Sequence, residues 1–129
     1  MRVLVTGDRG YIGTRLVPLF EAAGHDVVGL DSGLFDGCDL GSPPALDREI
    51  RDIRDVRSDD LVGFDAVVHL AGISNDPLGD LDPECTYDIN HRGTTHLARQ
   101  AKRAGVERFL FSSSCSLYGA AVDDFLDES

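Results

Sequence analysis

The sequence predicts an α/β fold with an open parallel sheet, and three observations lead to this prediction. Short continuous apolar runs, which are typical of strands buried on both faces, alternate with segments whose apolar residues recur at helical spacing. Three glycines follow the first apolar run at a spacing of three, as at a tight strand-to-helix turn. The length of 129 residues suits one domain, residues 1–129, with a sizeable core. Right-handed crossovers between such strands predict the strand order 3-2-1-4-5.

The first strand and the first helix flank a glycine loop. Val3–Val5 has the composition of a strand, and apolar residues at helical spacing start at Ile12, so Thr6-Gly-Asp-Arg-Gly-Tyr-Ile-Gly13 forms the turn. Glycine permits positive φ and has no Cβ to hold a phosphate away, and the N–H groups at a helix start attract anions. The loop therefore predicts a pyrophosphate site in a Rossmann-like fold. The alternative is an ordinary turn that needs glycine only for its backbone conformation.

The second strand predicts the cofactor. The apolar run from Asp26 to Leu30 ends in Asp31, about twenty residues from the loop, where a dinucleotide fold places the acid that bonds the ribose hydroxyls. Ser32 and the glycine after it offer no cation for a 2′-phosphate, which favours NAD over NADP. NADP stays the alternative, because Arg9 in the loop is within reach of such a phosphate. The alternative interpretation of Asp31 is a solvated loop acid.

The middle of the chain carries weaker signals. Residues 45–50 predict one or two helical turns that lead into a short third strand near residues 50–53. Ser58 is the expected N-cap of a short helix that ends near Val62. The continuous apolar run Asp65–Ala71 predicts a fourth strand that is buried in a parallel sheet.

The last predicted helix has clear signals at both ends. Asp82 followed by Pro83 is typical of an N-cap and the first helical position, and Gly105 is a stop signal. The apolar and small residues between them, up to Ala104, form a stripe that would lie on the sheet. Arg108–Ser112 follows as the fifth strand.

Composition excludes several classes of partner. The formal charge of −11 argues against binding to nucleic acid or to an anionic membrane surface. The cysteines, Cys38, Cys85 and Cys115, are odd in number and widely spaced, so neither a disulfide framework nor a metal site is expected. No apolar stretch approaches the length that spans a bilayer, and no signal peptide precedes the first strand. A cytoplasmic location is the resulting expectation.

Six motifs in order carry a family resemblance. They are the glycine loop, Asp31, Asp52-Ile53, His69-Leu-Ala-Gly72, Asn90-His-Arg-Gly-Thr94 and Ser112-Ser-Ser-Cys-Ser-Leu-Tyr-Gly119. Together they resemble the extended short-chain dehydrogenase/reductase superfamily, specifically its NAD-dependent epimerase/dehydratase branch that acts on nucleotide sugars. The match covers nearly the whole chain, and the combination of spacings is far more specific than any single motif.

The resemblance implies a role for each matching residue. The pyrophosphate would be held by Gly7, Gly10, Tyr11, Ile12 and Gly13. The adenosine would be held by Asp31 at the ribose and by Asp52 and Ile53 at the adenine. Leu70, Ala71 and Gly72 would line the path toward the nicotinamide, with support from Asn90 and Ser112. The alternatives are a solvated acid for Asp52, a helix residue facing water for Asn90 and plain core for Leu70.

Ser114 is the candidate catalytic residue. In related enzymes a hydroxyl side chain at the end of the fifth strand bonds the sugar oxygen that is oxidised. Related 4,6-dehydratases carry an acidic pair directly after this position, whereas this chain has Cys115 and Ser116. Dehydration is therefore disfavoured relative to epimerisation or simple oxidation and reduction. We interpret His69, which lies on the fourth strand among apolar residues, as structural rather than as an acid or base.

The tyrosine and lysine pair of this superfamily is not found in the sequence. None of Tyr11, Tyr87 and Tyr118 is followed by lysine four residues later, and the family places the pair downstream of the serine. The leading hypothesis is the NAD-binding portion of a nucleotide-sugar epimerase or related sugar oxidoreductase, with the substrate domain absent and the 129-residue chain inactive by itself. The alternative is a non-catalytic NAD(P)-binding or redox-sensing module. A homodimer formed through the helix from Pro83 is a further expectation.

Overall fold

A computed structural model describes residues 1–38, 46–74 and 76–114. These residues form a parallel sheet of five strands with helices on both faces. The strands are β1 (Arg2–Thr6), β2 (Asp26–Asp31), β3 (Asp47–Ile50), β4 (Ala66–His69) and β5 (Arg108–Phe111). The helices are α1 (Gly13–Ala22), α2 (Asp76–Leu81), α3 (Pro83–Tyr87) and α4 (Thr94–Ala104), with 3-10 turns at Ile53–Asp55 and Ser58–Leu61. A π turn, Asp88–Gly93, joins α3 to α4.

The strand order 3-2-1-4-5 confirms the predicted Rossmann-like α/β sheet. β1 lies at the centre, where Val5 is in register with Gly29 of β2 and Val68 of β4. Side chains alternate along this strand, because successive residues of a strand point to opposite faces. Val3 and Val5 pack with Val17 of α1 on one face. Leu4 packs on the other face with a second buried group that includes Leu97 of α4.

The third strand lies earlier than predicted. It occupies Asp47–Ile50, where helical turns were expected. Of the residues 50–53 that were expected to form the strand, Ile50 is the last residue of β3 and Ile53 is the first residue of the 3-10 turn Ile53–Asp55. β3 carries three charged residues and is largely exposed at the edge of the sheet, so it has no apolar run. Pairing with β2 decides its conformation, because strand propensity depends strongly on context. The predicted Ser58 cap is also wrong, since the Asp60 carboxylate accepts the Arg57 N–H at 2.8 Å and Ser58 lies inside the turn.

The predicted helix from Pro83 to Ala104 is continuous in extent but not uniform. Its ends are as expected, because Asp82 Oδ1 accepts the Cys85 N–H at 3.0 Å and Gly105 adopts a left-handed φ of 80°. The π turn widens the helix in the middle, and α2 precedes the helix without having been predicted. Single turns of π helix occur often at functional sites. In this protein the turn holds Asn90.

Candidate functional site

The glycine loop connects β1 to α1 by close backbone contacts. Gly7 has a φ of +72°, and a Cβ at this position would lie 2.7 Å from the Ala71 backbone nitrogen at the end of β4. A Cβ on Gly13 would lie 2.5 Å from the Gly7 carbonyl oxygen. The Gly10 N–H closes the turn on the Gly7 carbonyl at 3.0 Å. Glycine is therefore required by the tight approach of three backbone segments, as the sequence predicts.

The turn leaves backbone donors at the start of α1. Within the described ranges the N–H groups of Tyr11 and Ile12 donate to no other group, and both side chains are exposed. The first N–H groups of a helix have no partner inside the helix and carry its positive dipole end. Such donors are a suitable site for a phosphate. The pyrophosphate role of Tyr11 and Ile12 stays a prediction.

A buried ion pair lies directly beneath the loop. The Asp8 side chain is fully buried, and its Oδ2 accepts a 2.7 Å hydrogen bond from Arg48 Nε of β3. A Cβ on Gly29 would lie 2.6 Å from the Asp8 carboxyl carbon, so the glycine of β2 makes room for this carboxylate. Burial raises the pKa of Asp8 although Arg48 opposes the change. Sequence reasoning missed both residues, because they lie 40 positions apart and no local motif connects them.

Asp31 lies at the carboxyl end of β2 beside the loop. Its Oδ1 accepts the Gly33 N–H at 2.8 Å, and its Oδ2 accepts the Arg9 N–H at 3.3 Å. The loop is fixed to the same strand end, since the Gly7 N–H donates to the Leu30 carbonyl at 2.8 Å. The Arg9 guanidinium forms an ion pair with Asp36 in the turn after β2. The carboxylate is thus oriented by backbone donors rather than free in solvent.

One groove at the carboxyl edge of the sheet brings half of the predicted residues together, and we call it the carboxyl-edge groove. The predicted residues that line it are Gly10, Asp31, Asp52, Ile53, Leu70, Ala71 and Gly72. Lining residues that the sequence did not single out include Leu34, Phe35, Asp36, Ile73 and Ile89. The predicted residues outside its lining are Gly7, Tyr11, Ile12, Gly13, Asn90, Ser112 and Ser114. The lining is mainly apolar, and its charged members are Asp31, Asp36, Asp52, Arg9 and Arg51.

Asp52 and Ile53 form one wall of this groove. Ile53 is buried, and its side chain lies against Gly93, where an added Cβ would be 3.0 Å from Ile53 Cδ1. Asp52 caps the 3-10 turn by accepting the Arg54 N–H at 2.8 Å, and its other oxygen accepts Arg54 Nη2 at 2.7 Å. These hydrogen bonds hold the pKa of Asp52 below its usual value. The carboxylate is therefore ionised at neutral pH and is held by Arg54, and its contact with adenine stays a prediction.

Asn90 clamps the segment that follows β4. Its Oδ1 accepts the Ile73 N–H at 2.8 Å, and its Nδ2 donates to the Ile73 carbonyl at 2.7 Å. A Cβ on Gly72 would lie 3.1 Å from Asn90 Oδ1, so the clamp also needs the glycine. Arg54 ties the π turn to the groove wall through a 2.7 Å hydrogen bond to Asp88. Asn90 thus supports the groove through the backbone and does not simply face water.

His69 is a structural residue, as the sequence analysis predicts. The ring is fully buried, with Nδ1 2.7 Å from the Thr6 hydroxyl and Nε2 2.8 Å from the Thr94 hydroxyl. Burial lowers the pKa of His69 to about 4. At neutral pH the imidazole is uncharged, and each threonine hydroxyl can donate or accept to match its tautomer. The ring fixes β4 between β1 and α4 and does not face the groove.

The serines lie just beyond β5. The Ser112 N–H donates to the His69 carbonyl at 3.1 Å and extends the pairing of β5 with β4. Ser112 and Ser114 are both exposed at the carboxyl edge of the sheet, on the same edge as the groove. Cys115 and Ser116, on which the argument against dehydration depends, lie outside the described residues.

The described ranges also lack a membrane-spanning helix and a cluster of metal ligands. No helix in residues 1–38, 46–74 and 76–114 is long and apolar enough to cross a membrane. In the same part of the chain no group of three or more His, Cys, Asp or Glu side chains is arranged to hold a metal ion.

Known proteins share both this sequence pattern and this fold. UDP-glucose 4-epimerase from Azospirillum brasilense is 34% identical over 132 residues, which cover 92% of this chain and 35% of that protein. UDP-glucose 4-epimerase from Klebsiella pneumoniae is 34% identical over 131 residues, which cover 92% of this chain and 93% of that sequence. The crystal structure of UDP-glucose-4-epimerase from Stenotrophomonas maltophila, with bound NAD and formylated UDP-arabinopyranose, aligns with a TM-score of 0.85 and 31% identity. That alignment covers 100% of this chain and 41% of the crystallised one.

The match extends to the family level. This chain spans 35% of the Azospirillum protein and 41% of the Stenotrophomonas chain, so it corresponds to part of these proteins. The family model for the NAD dependent epimerase/dehydratase family matches residues 3–129. With the glycine loop and the 3-2-1-4-5 sheet, this match shows that the chain belongs to the NAD dependent epimerase/dehydratase family of the extended short-chain dehydrogenase/reductase superfamily.

Proposed function

We propose that this chain binds NAD along the carboxyl edge of its sheet, as the cofactor-binding portion of a nucleotide-sugar epimerase or related sugar oxidoreductase. The observation that carries the proposal is the convergence of the glycine loop and Asp31 on one groove. The two lie side by side because Gly7 and Asp31 are both fixed to the end of β2, and the Arg9 N–H donates to the Asp31 carboxylate at 3.3 Å. Pyrophosphate donors and a ribose acceptor are thereby adjacent, as a dinucleotide requires.

The residues present fit the parts of NAD. The Tyr11 and Ile12 N–H groups would bind the pyrophosphate, and the close packing at Gly7 and Gly13 keeps side-chain atoms away from it. The Asp31 carboxylate would accept hydrogen bonds from the ribose hydroxyls. The apolar lining near Phe35 would receive the adenine ring, together with Asp52 and Ile53, which line the same groove. Leu70, Ala71 and Gly72 continue the groove toward the nicotinamide end.

NAD is preferred to NADP in this proposal. A carboxylate at the end of β2 accepts hydrogen bonds from a free 2′-hydroxyl and repels a 2′-phosphate. Arg9, the cation that such a phosphate would use, is already paired with Asp36. The neighbouring structures support the same cofactor, because the Stenotrophomonas enzyme was crystallised with bound NAD.

The reaction class comes from the relatives and from the placement of Ser114. The relatives are UDP-glucose 4-epimerases, and another neighbour, 28% identical with a TM-score of 0.84, was solved with UDP-glucose and NAD. When bound, NAD supplies the hydride acceptor for oxidation of a sugar hydroxyl. Ser114, exposed at the carboxyl edge beyond β5, would hydrogen-bond that hydroxyl and hold it in position. Membership of an enzyme family does not favour the alternative of a non-catalytic module.

NAD binding is tested by Asp31→Asn. Asparagine keeps the size of the side chain and one acceptor oxygen, but it removes the charge that strengthens the hydrogen bonds to ribose. Hydrogen bonds to a charged group contribute about 1.5–3 kcal/mol, so the Kd for NAD should rise roughly tenfold to a hundredfold. Asp59→Asn is the matched control, because Asp59 is an exposed acid that does not line the groove. Equal NAD affinity of the two variants in calorimetric titration would contradict the ribose assignment.

The Ser114 proposal needs a separate test. Ser114→Ala in the catalytically active protein that contains this chain should lower kcat with UDP-glucose roughly a hundredfold, while the Kd for NAD stays unchanged. Ser113→Ala is the control, because Ser113 is exposed and adjacent. If both variants keep the full kcat, Ser114 has no part in the reaction.

A further inference from the structure

The ion pair between Arg9 and Asp36 bridges the two segments that enclose Asp31. Arg9 belongs to the glycine loop and Asp36 to the turn after β2, and both line the carboxyl-edge groove. The Arg9 side chain is only 16% exposed, whereas the Asp36 side chain is 48% exposed. The guanidinium is therefore held inside the groove by a carboxylate at its rim.

The Arg9 guanidinium belongs to a residue that lies beside the Asp31 carboxylate. The Arg9 backbone N–H donates to Asp31 Oδ2, so the arginine starts beside the carboxylate that is assigned to the ribose hydroxyls. A 2′-phosphate would be attached to one of those ribose oxygens. A guanidinium binds phosphate by two parallel hydrogen bonds, and an arginine near this point is the usual partner of a 2′-phosphate. Arg9 thus has the chemistry and the place to accept NADP.

We propose that Asp36 is a specificity-determining residue, which occupies Arg9 as an internal counter-anion and so keeps the groove selective for a dinucleotide with a free 2′-hydroxyl. This inference rests on the proposed NAD binding and adds a second determinant to Asp31. A 2′-phosphate would have to displace Asp36 from Arg9 and would then lie near two carboxylates. NAD carries a neutral hydroxyl at this point, so its binding does not compete with the ion pair.

Asp36→Asn tests the inference through the ratio of the Kd for NADP to the Kd for NAD. Asparagine removes the competing charge, so the ratio should fall about tenfold, while the Kd for NAD changes less than threefold. The remaining preference for NAD comes from Asp31. Because exposed charges are screened by salt, the gain in NADP affinity should shrink between 0.05 and 0.5 M NaCl. Competition of 2′-AMP and of 5′-AMP with the bound dinucleotide measures the affinity of the adenosine end alone.

Three variants control this measurement. Asp59→Asn removes the same charge from the surface away from the groove and should leave the ratio unchanged. Asp36→Glu keeps the charge and should keep the ratio of the unmodified protein. Arg9→Met combined with Asp36→Asn should cancel the gain, because the gain depends on the Arg9 guanidinium.

The outcomes separate this inference from the proposed function. If Asp36→Asn leaves the ratio unchanged, or if Asp59→Asn lowers it equally, Asp36 is not a selectivity determinant, although NAD binding stands. If the gain survives the loss of Arg9, the mechanism is wrong. If the unmodified protein binds neither dinucleotide, the proposed function fails and this inference fails with it.

Discussion

Lowering the pH from 7 to 4.5 should destabilise this protein through His69. The ring is fully buried between the Thr6 and Thr94 hydroxyls and stacks on Phe111 with centroids 5.6 Å apart. No carboxylate contacts it among the described residues, so nothing there compensates an imidazolium charge. Protonation of the buried ring is unfavourable, because the charged imidazolium would lose much of its solvation by water. Burial therefore lowers the pKa of His69 to about 4.

The magnitude follows from the difference between the folded and unfolded values. In the unfolded chain His69 has its ordinary pKa of 6.5. As the pH falls below 6.5, the ring is therefore protonated in the unfolded state but stays neutral in the folded state. The free energy of unfolding therefore decreases between pH 6.5 and about 4, where the folded ring also becomes protonated. Since a difference of one in pKa corresponds to about 1.4 kcal/mol, the full loss amounts to about 3 kcal/mol.

The assay compares urea unfolding at pH 7.0, 6.0, 5.0 and 4.5 for the unmodified protein and for His69→Gln. Glutamine keeps a hydrogen-bonding group but has no proton to gain in this range. The variant should be less stable at pH 7, because it loses the stacked ring, yet its stability should fall by about 2–3 kcal/mol less over the range. His91→Gln, at an exposed histidine, is the control and should follow the unmodified protein. Titration of the His69 ring by NMR gives an independent measure of its pKa.

Two results would refute this reasoning. The first is a His69 titration near pH 6.5 in the folded protein, which would mean that burial does not penalise the charged ring. The second is a pair of parallel curves of stability against pH for the unmodified protein and His69→Gln. Carboxylates do not confuse the comparison, because Asp8, Asp52 and Asp60, whose pKa values are shifted, are present in both proteins and their contributions cancel in the difference.

Two further substitutions test the support of the glycine loop. Arg48→Met should lower the free energy of unfolding by about 3–5 kcal/mol at pH 7, because it leaves the buried Asp8 carboxylate without a cation. Stability should return as the pH falls and Asp8 takes up a proton, whereas a loss that does not depend on pH would contradict this account. Gly13→Ala places a Cβ 2.5 Å from two backbone oxygens and should cost about 1–3 kcal/mol and weaken NAD binding. Gly79→Ala, whose new Cβ would lie at least 3.7 Å from its neighbours, is the control, and equal effects of both would show that the loop tolerates a side chain.

The candidate site could be predicted where its signals are local. Gly7 needs positive φ and a close approach, and Asp31 follows directly on an apolar run, so both are visible in a few neighbouring residues. The cap at Asp82 and the stop at Gly105 are local in the same sense. The third strand has no such local signal, because its charged residues form a strand only by pairing with β2.

The sequence by itself determined the order of the strands in the sheet, the position of the glycine loop and the acid at the end of β2, because hydrophobic periodicity and glycine conformation act over short stretches of chain. Only the tertiary structure decided the pairing of Asp8 with Arg48 and of Arg9 with Asp36, which are 40 and 27 positions apart. It also decided that Asn90 clamps the backbone of Ile73. Pairs of residues this far apart in the chain depend on how strands and turns pack in space, and no periodicity in the sequence indicates them.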